Sequence, residues 1–116
     1  MNKIKIFELV NGNWSEGLNF GYTTIGKSFT TKVVCFSPVG CDIADLKVRI
    51  EEKNDFIFTK SEDCLITEWK SIVPFKIKNG EMSNPVKIDF LVKSGPVRLD
   101  SFKILFEYLE IPTEIE

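Results

Sequence analysis

The chain has 116 residues, of which 43% are hydrophobic and ten are Phe, and its 15 basic and 17 acidic side chains leave a net charge of −2. That length suits one domain spanning residues 1–116, with enough apolar material for a core that needs no disulfide or metal staple. Interspersed, nearly balanced charge excludes the basic footprint of a nucleic-acid binder and the polybasic arm of a membrane-surface protein. The absence of His removes Ser-His-Asp and Cys-His catalysis together with every His-containing metal cluster.

In chain order, KIKIFELV (3–10) alternates charged and apolar residues and lacks the continuous apolar stretch of a leader peptide, so a strand is expected. Asn11-Gly12 then marks a turn. TTKVVCFS (30–37) is β-branched and almost continuously apolar, the pattern of a central strand covered on both sides. After a break at Pro38 through Gly40, ADLKVRIEEK (44–53) sets Leu46, Val48 and Ile50 against Lys47, Arg49 and Glu51, a half-buried strand.

DFIFT (55–59) and CLIT (64–67) read as shorter strands. SIVPFKIK (71–78) places Val73, Phe75 and Ile77 on one face. Pro74 lacks a ladder donor, so that strand belongs at an edge or is interrupted. After turn signals at Asn79-Gly80 and Asn84-Pro85, NPVKIDFLVK (84–93) puts Val86, Ile88, Phe90 and Val92 opposite Lys87, Asp89, Leu91 and Lys93. Beyond Ser94-Gly95-Pro96, SFKILFEYLE (101–110) alternates Phe102, Ile104, Phe106 and Tyr108 with Lys103, Leu105, Glu107 and Leu109. No segment shows a sustained helical period, and no apolar run approaches the eighteen or so residues of a membrane span. Seven or eight short strands separated by turn signals imply an all-β chain, an immunoglobulin-like antiparallel β-sandwich.

Residues 21–28, GYTTIGKS, match the phosphate-loop pattern G-x-x-x-x-G-K-[ST] letter for letter. A phosphate loop needs a buried parallel strand before it and a helix after it, so that backbone N–H groups and the helix N-terminus surround the phosphates. Here NGNWSEGLNF precedes the match and FTTKVVCFSPVG follows it, the first polar and glycine-broken, the second among the least helical stretches of the chain. The match is therefore read as coincidence, with nucleotide binding through Lys27 as a remote alternative.

A different reading fits the same letters. Leu18, Phe20, Gly21 and Gly26, followed by the strand that carries Val33 and Cys35, resemble the opening of Ig-like modules of the ASPM-SPD-2-Hydin type, which are related to major sperm protein domains. The likeness covers the first third of the chain and departs where such modules have an Asn after the second strand, since SPVG stands there. It implies a non-catalytic module that binds other proteins, with Gly21 and Gly26 as backbone residues of a kinked edge strand.

The other candidates reduce to ordinary roles. Glu51-Glu52, Asp55, Glu62-Asp63 and Asp42/Asp45 fall at strand ends, where solvated charge is expected, and no D-x-D-x-D-G calcium loop is present. Cys35, Cys41 and Cys64 are odd in number and contain no CxxC, which reads as buried or semi-buried free thiols in a reducing compartment. Trp14 and Trp69 read as core or sheet-edge packing, with a ligand-stacking role as the alternative.

One departure from clean alternation stands out. Leu91, Leu105 and Leu109 occupy outward positions of the last two long strands, with Ile111 following, and adjacent strands would join them into an outer apolar strip. Such a strip marks a protein interface, unless these are scattered surface leucines or the IPTEIE tail covers them. The expectation is a non-enzymatic structural or interaction module without cofactor or metal, and without a nucleic-acid or membrane partner. It is expected to act as a virion or particle component such as a phage capsid decoration protein, or alternatively as a cytoplasmic adaptor that binds a protein or peptide at a sheet edge.

Overall fold

Period-two patterning runs through nearly the whole sequence, and the backbone follows it. The computed structural model describes residues 3–18, 22–23, 29–52, 55–93, 97–98 and 103–112, and among these there is no helix. The described residues form eleven strands: β1 (Ile4–Val10), β2 (Asn13–Glu16), β3 (Tyr22–Thr23), β4 (Phe29–Pro38), β5 (Asp42–Ile50), β6 (Phe56–Phe58), β7 (Lys70–Ser71), β8 (Lys76–Ile77), β9 (Val86–Val92), β10 (Val97–Arg98) and β11 (Ile104–Ile111).

Two antiparallel sheets carry the core. The larger has the order β2-β1-β4-β9-β6, and in the smaller β5 lies between β11 on one side and β7 and β8 on the other. A short β3–β10 ladder completes the pairing. The β1–β2 hairpin turns at Asn11 and Gly12, whose φ values of 51° and 80° are both left-handed, a geometry that Asn-Gly adopts at low cost.

Register decides which side of each strand is buried, because residues directly opposite share a face. Ile4 and Ile6 lie opposite Pro38 and Phe36, Val34 lies opposite Val86, and Thr30 opposite Phe90. These positions look inward, toward Ile43, Leu46, Val48 and Ile50 of the smaller sheet. Phe36 meets Phe106 edge-on across the two sheets, with ring centroids 5.5 Å apart at 81°, and within the larger sheet Phe56 on β6 meets Phe90 on β9 edge-on at 5.8 Å. Such aromatic pairs add about 0.5–1.5 kcal/mol to the area they bury.

Several expectations hold. Leu46, Val48 and Ile50 are buried on β5, and Ile88, Phe90 and Val92 on β9. The central position of residues 30–37 is right, since β4 lies between β1 and β9. Full cover is confined to its second half: Val34 through Pro38 are buried, whereas Phe29 and Thr31 face out. All three cysteines are buried and free.

Other expectations are corrected. Residues 71–78 are interrupted, as Pro74 implied, but Val73, Phe75 and Ile77 do not share one face. The segment gives the two-residue β7 and β8, with Ile72 and Ile77 buried and Val73 and Phe75 exposed. Pro74 removes a ladder donor between them, so the alternation does not carry across it. Residues 64–67 form no strand either: Cys64 makes one parallel bridge to Lys87, and Leu65 enters the core as a loop residue.

The largest correction concerns the expected outer strip. β9 and β11 lie in different sheets, so Leu91 does not share a face with Leu105, Leu109 and Ile111. β9 fills both of its hydrogen-bonding edges inside the larger sheet, with β4 and β6, and has none left for β11.

Candidate protein-interaction surface

β11 is an edge strand. It pairs with β5 from Ile104↔Ile50 to Ile111↔Asp42, and among the described residues no strand pairs with its other side. Its alternation places Ile104, Phe106 and Tyr108 against the core, where they are only partly buried, and turns Leu105 and Glu107 outward. Between Glu107 and Leu109 the register shifts. Asp45, with φ of 54°, lies opposite this irregularity on β5. The extra residue on β5 is what a β-bulge supplies, and it sharpens the local twist.

Beyond the bulge Leu109 lies opposite Ala44 and is 62% exposed, while Ile111 lies opposite Asp42 and is half-buried. Glu110 turns the other way and accepts a hydrogen bond from Lys3 at 2.6 Å, linking the lead-in to β1 with the end of β11. That hydrogen bond, then the carboxylate charge, raises the pKa of the Lys3 ammonium above its ordinary value. The smaller sheet is thus tied to the larger at this end by a solvated ion pair and farther in by the Phe36–Phe106 contact.

Leu105 lies opposite Arg49, whose guanidinium stands over the Trp69 ring at 5.1 Å from its centroid. This cation–π contact, worth about 0.5–1 kcal/mol at an exposed site, gives Trp69 the sheet-surface packing role and leaves the ring 44% exposed. A shallow cleft of about 730 Å³ runs along β11, lined by Trp69, Lys103, Ile104, Leu105, Phe106 and Tyr108. Three of the four sequence-derived interface residues, Leu105, Leu109 and Ile111, therefore belong to the outward side of one edge strand.

Leu91 belongs elsewhere. On the outer face of the larger sheet it lies directly opposite Phe29 on β4 and Ile57 on β6, a row across three strands in which Phe29 is 62% and Ile57 49% exposed. Sequence reasoning missed this row. The outward position of Leu91 was legible from alternation, but its neighbours come from segments 34 and 62 residues away and are set by register. On the far edge of the same sheet Trp14 lies opposite Leu9, both partly exposed.

A buried charge was also not foreseen. Glu8, 5% exposed, looks inward from β1, and its carboxylate lies 3.2 Å from the ammonium of Lys32 on β4. Nothing in KIKIFELV singles out Glu8 as an inward residue except its even spacing from Ile4 and Ile6. Asp89 is half-buried on the outer face and its Oδ2 accepts from the Cys64 thiol at 3.4 Å. The acidic residues do not converge: among the described residues no three His, Cys, Asp or Glu side chains form a metal-holding group.

Most of GYTTIGKS, namely Gly21 and residues 24–28, lies outside the described residues, as do Phe20 and Gly26 of the family resemblance. Tyr22 and Thr23 are the strand β3, and Phe29, immediately after Ser28, opens the strand β4 rather than a helix. Comparison with protein-family models, curated proteins and solved structures finds no match to this chain.

Proposed function

We propose that this chain is a non-enzymatic interaction module, an immunoglobulin-like sandwich that serves as a subunit or accessory component of a larger protein assembly. The observation that carries this reading is the presence of two separate apolar surfaces, one on each sheet. The smaller sheet offers Leu105 beside Trp69 and, past Glu107 and the bulge, Leu109 and Ile111, and the larger offers the Phe29–Leu91–Ile57 row. Contiguous exposed apolar patches on a soluble domain mark contact sites, and a component held between neighbours needs one on each side. The likeness of residues 18–35 to major sperm protein-type modules points the same way, toward protein partners.

A virion or comparable particle is the assembly favoured. A second reading, an adaptor that takes up an extended peptide, is supported by the side of β11 that no described strand pairs and the cleft beside it, since an added strand supplies main-chain hydrogen bonds and places side chains in flanking hollows. The test is sedimentation of the untagged protein from its source, with mass spectrometry of what travels with it. Co-migration with a large particle that Leu105→Lys with Leu109→Lys abolishes, while the circular dichroism spectrum is unchanged, supports the assembly reading. Slow migration with a single partner supports the adaptor. Slow migration alone, insensitive to both substitutions, overturns the use of this face.

A further inference from the structure

Resting on the reading of β11 as a contact edge, we infer that its partner is a second copy of the same strand, paired antiparallel about a two-fold axis through Leu105. The backbone sets the first condition. Glu51 N–H donates to Lys103 C=O at 2.8 Å, which makes Lys103 and Glu51 a hydrogen-bonded pair. Along the ladder the alternation of antiparallel pairing then turns the polar backbone groups of Leu105 and Glu107 toward β5, and those of Ile104 and Phe106 toward the open edge. Two copies placed with Leu105 opposite Leu105 bring Ile104 of each opposite Phe106 of the other. Both residues then carry outward N–H and C=O groups, and four main-chain hydrogen bonds close.

Side-chain charge selects this register among the alternatives. A two-fold axis perpendicular to the sheet keeps outward residues opposite outward residues, and on this face the order is Lys103, Leu105, Glu107. Centred on Leu105, each Lys103 meets a Glu107 of the other copy, and the two leucines meet on the axis. Centred on Phe106, Leu105 would face Glu107. Centred on Glu107, two carboxylates would meet, which is unfavourable. The Lys103–Glu107 positions are non-hydrogen-bonded pairs, in which Cα atoms approach to about 4.5 Å and side chains interact most closely. The paired span of residues 103–107 ends where the bulge begins, so the irregularity between Glu107 and Leu109 falls just outside it. Ile104 and Phe106, partly buried in the single chain, gain cover from their counterparts.

Sedimentation equilibrium of the purified full chain, over about a hundredfold range of micromolar concentration, tests this directly, with circular dichroism to verify folding. The wild-type chain dimerises. Lys103→Glu and Glu107→Lys each weaken association by at least about tenfold, because each turns two attractive pairs into repulsive ones. The double exchange, and an equimolar mixture of the two single variants, restore it. Independently, Leu105→Cys forms an intermolecular disulfide under oxidised glutathione, since Cα atoms about 4.5 Å apart lie within disulfide reach, and Leu109→Cys, beyond the bulge, does not. A monomeric wild-type chain overturns self-pairing, as do single reversals without effect or equal cross-linking at both cysteines. If such a monomer still co-sediments with a particle through Leu105 and Leu109, the assembly reading stands and only the self-pairing falls.

Discussion

Phe29 and Phe36 mark the two ends of the same strand and face opposite ways, so one substitution made at both sites measures what facing is worth. Phe36 is fully buried, meets Phe106 at 5.5 Å, and is fixed on both sides of its peptide: its N–H donates to Ser83 Oγ at 2.9 Å and its C=O accepts from Ser83 N–H at 2.8 Å. Phe36→Ala loses the transfer free energy of the ring, the cross-sheet aromatic contact and the packing around the resulting cavity, together about 3–5 kcal/mol. Against a total stability of roughly 5–15 kcal/mol for a domain of this size, that is a large share, and the melting temperature falls by at least about 10 °C. Phe29→Ala removes a ring that is 62% exposed and costs about 1 kcal/mol at most. Urea titration followed by circular dichroism reads both values, and Phe36→Leu provides a milder variant if Phe36→Ala does not fold. Equal destabilisation at the two sites, or a greater loss at Phe29, would mean that the register of β4 against β9 is off by one residue and its faces are exchanged.

Two further outcomes follow from groups inside the sheets. Burial raises the Cys35 thiol pKa above its ordinary value, so the folded state favours the neutral thiol. The stability associated with it is fully present below the unfolded thiol pKa and is lost as pH rises through the folded one. Ellman's reagent at mildly alkaline pH therefore modifies Cys35 slowly in the native chain and all three cysteines rapidly in urea, and fast native reaction at Cys35 would contradict its burial. Glu8→Ala removes the buried carboxylate that lies 3.2 Å from the Lys32 ammonium. Because Lys32 keeps partial contact with solvent, the cost is discounted from the fully buried case to about 2 kcal/mol. An unchanged urea midpoint would show that the pair contributes nothing.

Much of the local structure was written in the alternation. Leu46, Val48 and Ile50, Ile88, Phe90 and Val92, and Ile104 with Phe106 all face the core as the pattern requires, because a strand has only two faces and water sorts apolar from charged side chains between them. The same logic marked Leu91, Leu105, Leu109 and Ile111 as outward apolar residues. It marked the break at Pro74 but failed for Val73 and Phe75 beside it, which are exposed, at residues 64–67, which form no strand, and at Glu8, where an inward carboxylate is offset by a lysine on the neighbouring strand. Which strands become neighbours is not encoded in any local period. It depends on how hydrogen-bonding edges and apolar faces from distant segments are filled together. The sequence by itself therefore determined an all-β chain, the positions of its long strands and the facing of most of their side chains. Only the tertiary structure decided that β9 is enclosed between β4 and β6 while β11, among the described residues, borders β5 alone, and so divided one expected apolar strip into two surfaces on different sheets. Facing is settled by a residue's own strand, whereas adjacency is settled by the competition of all strands for the same backbone partners.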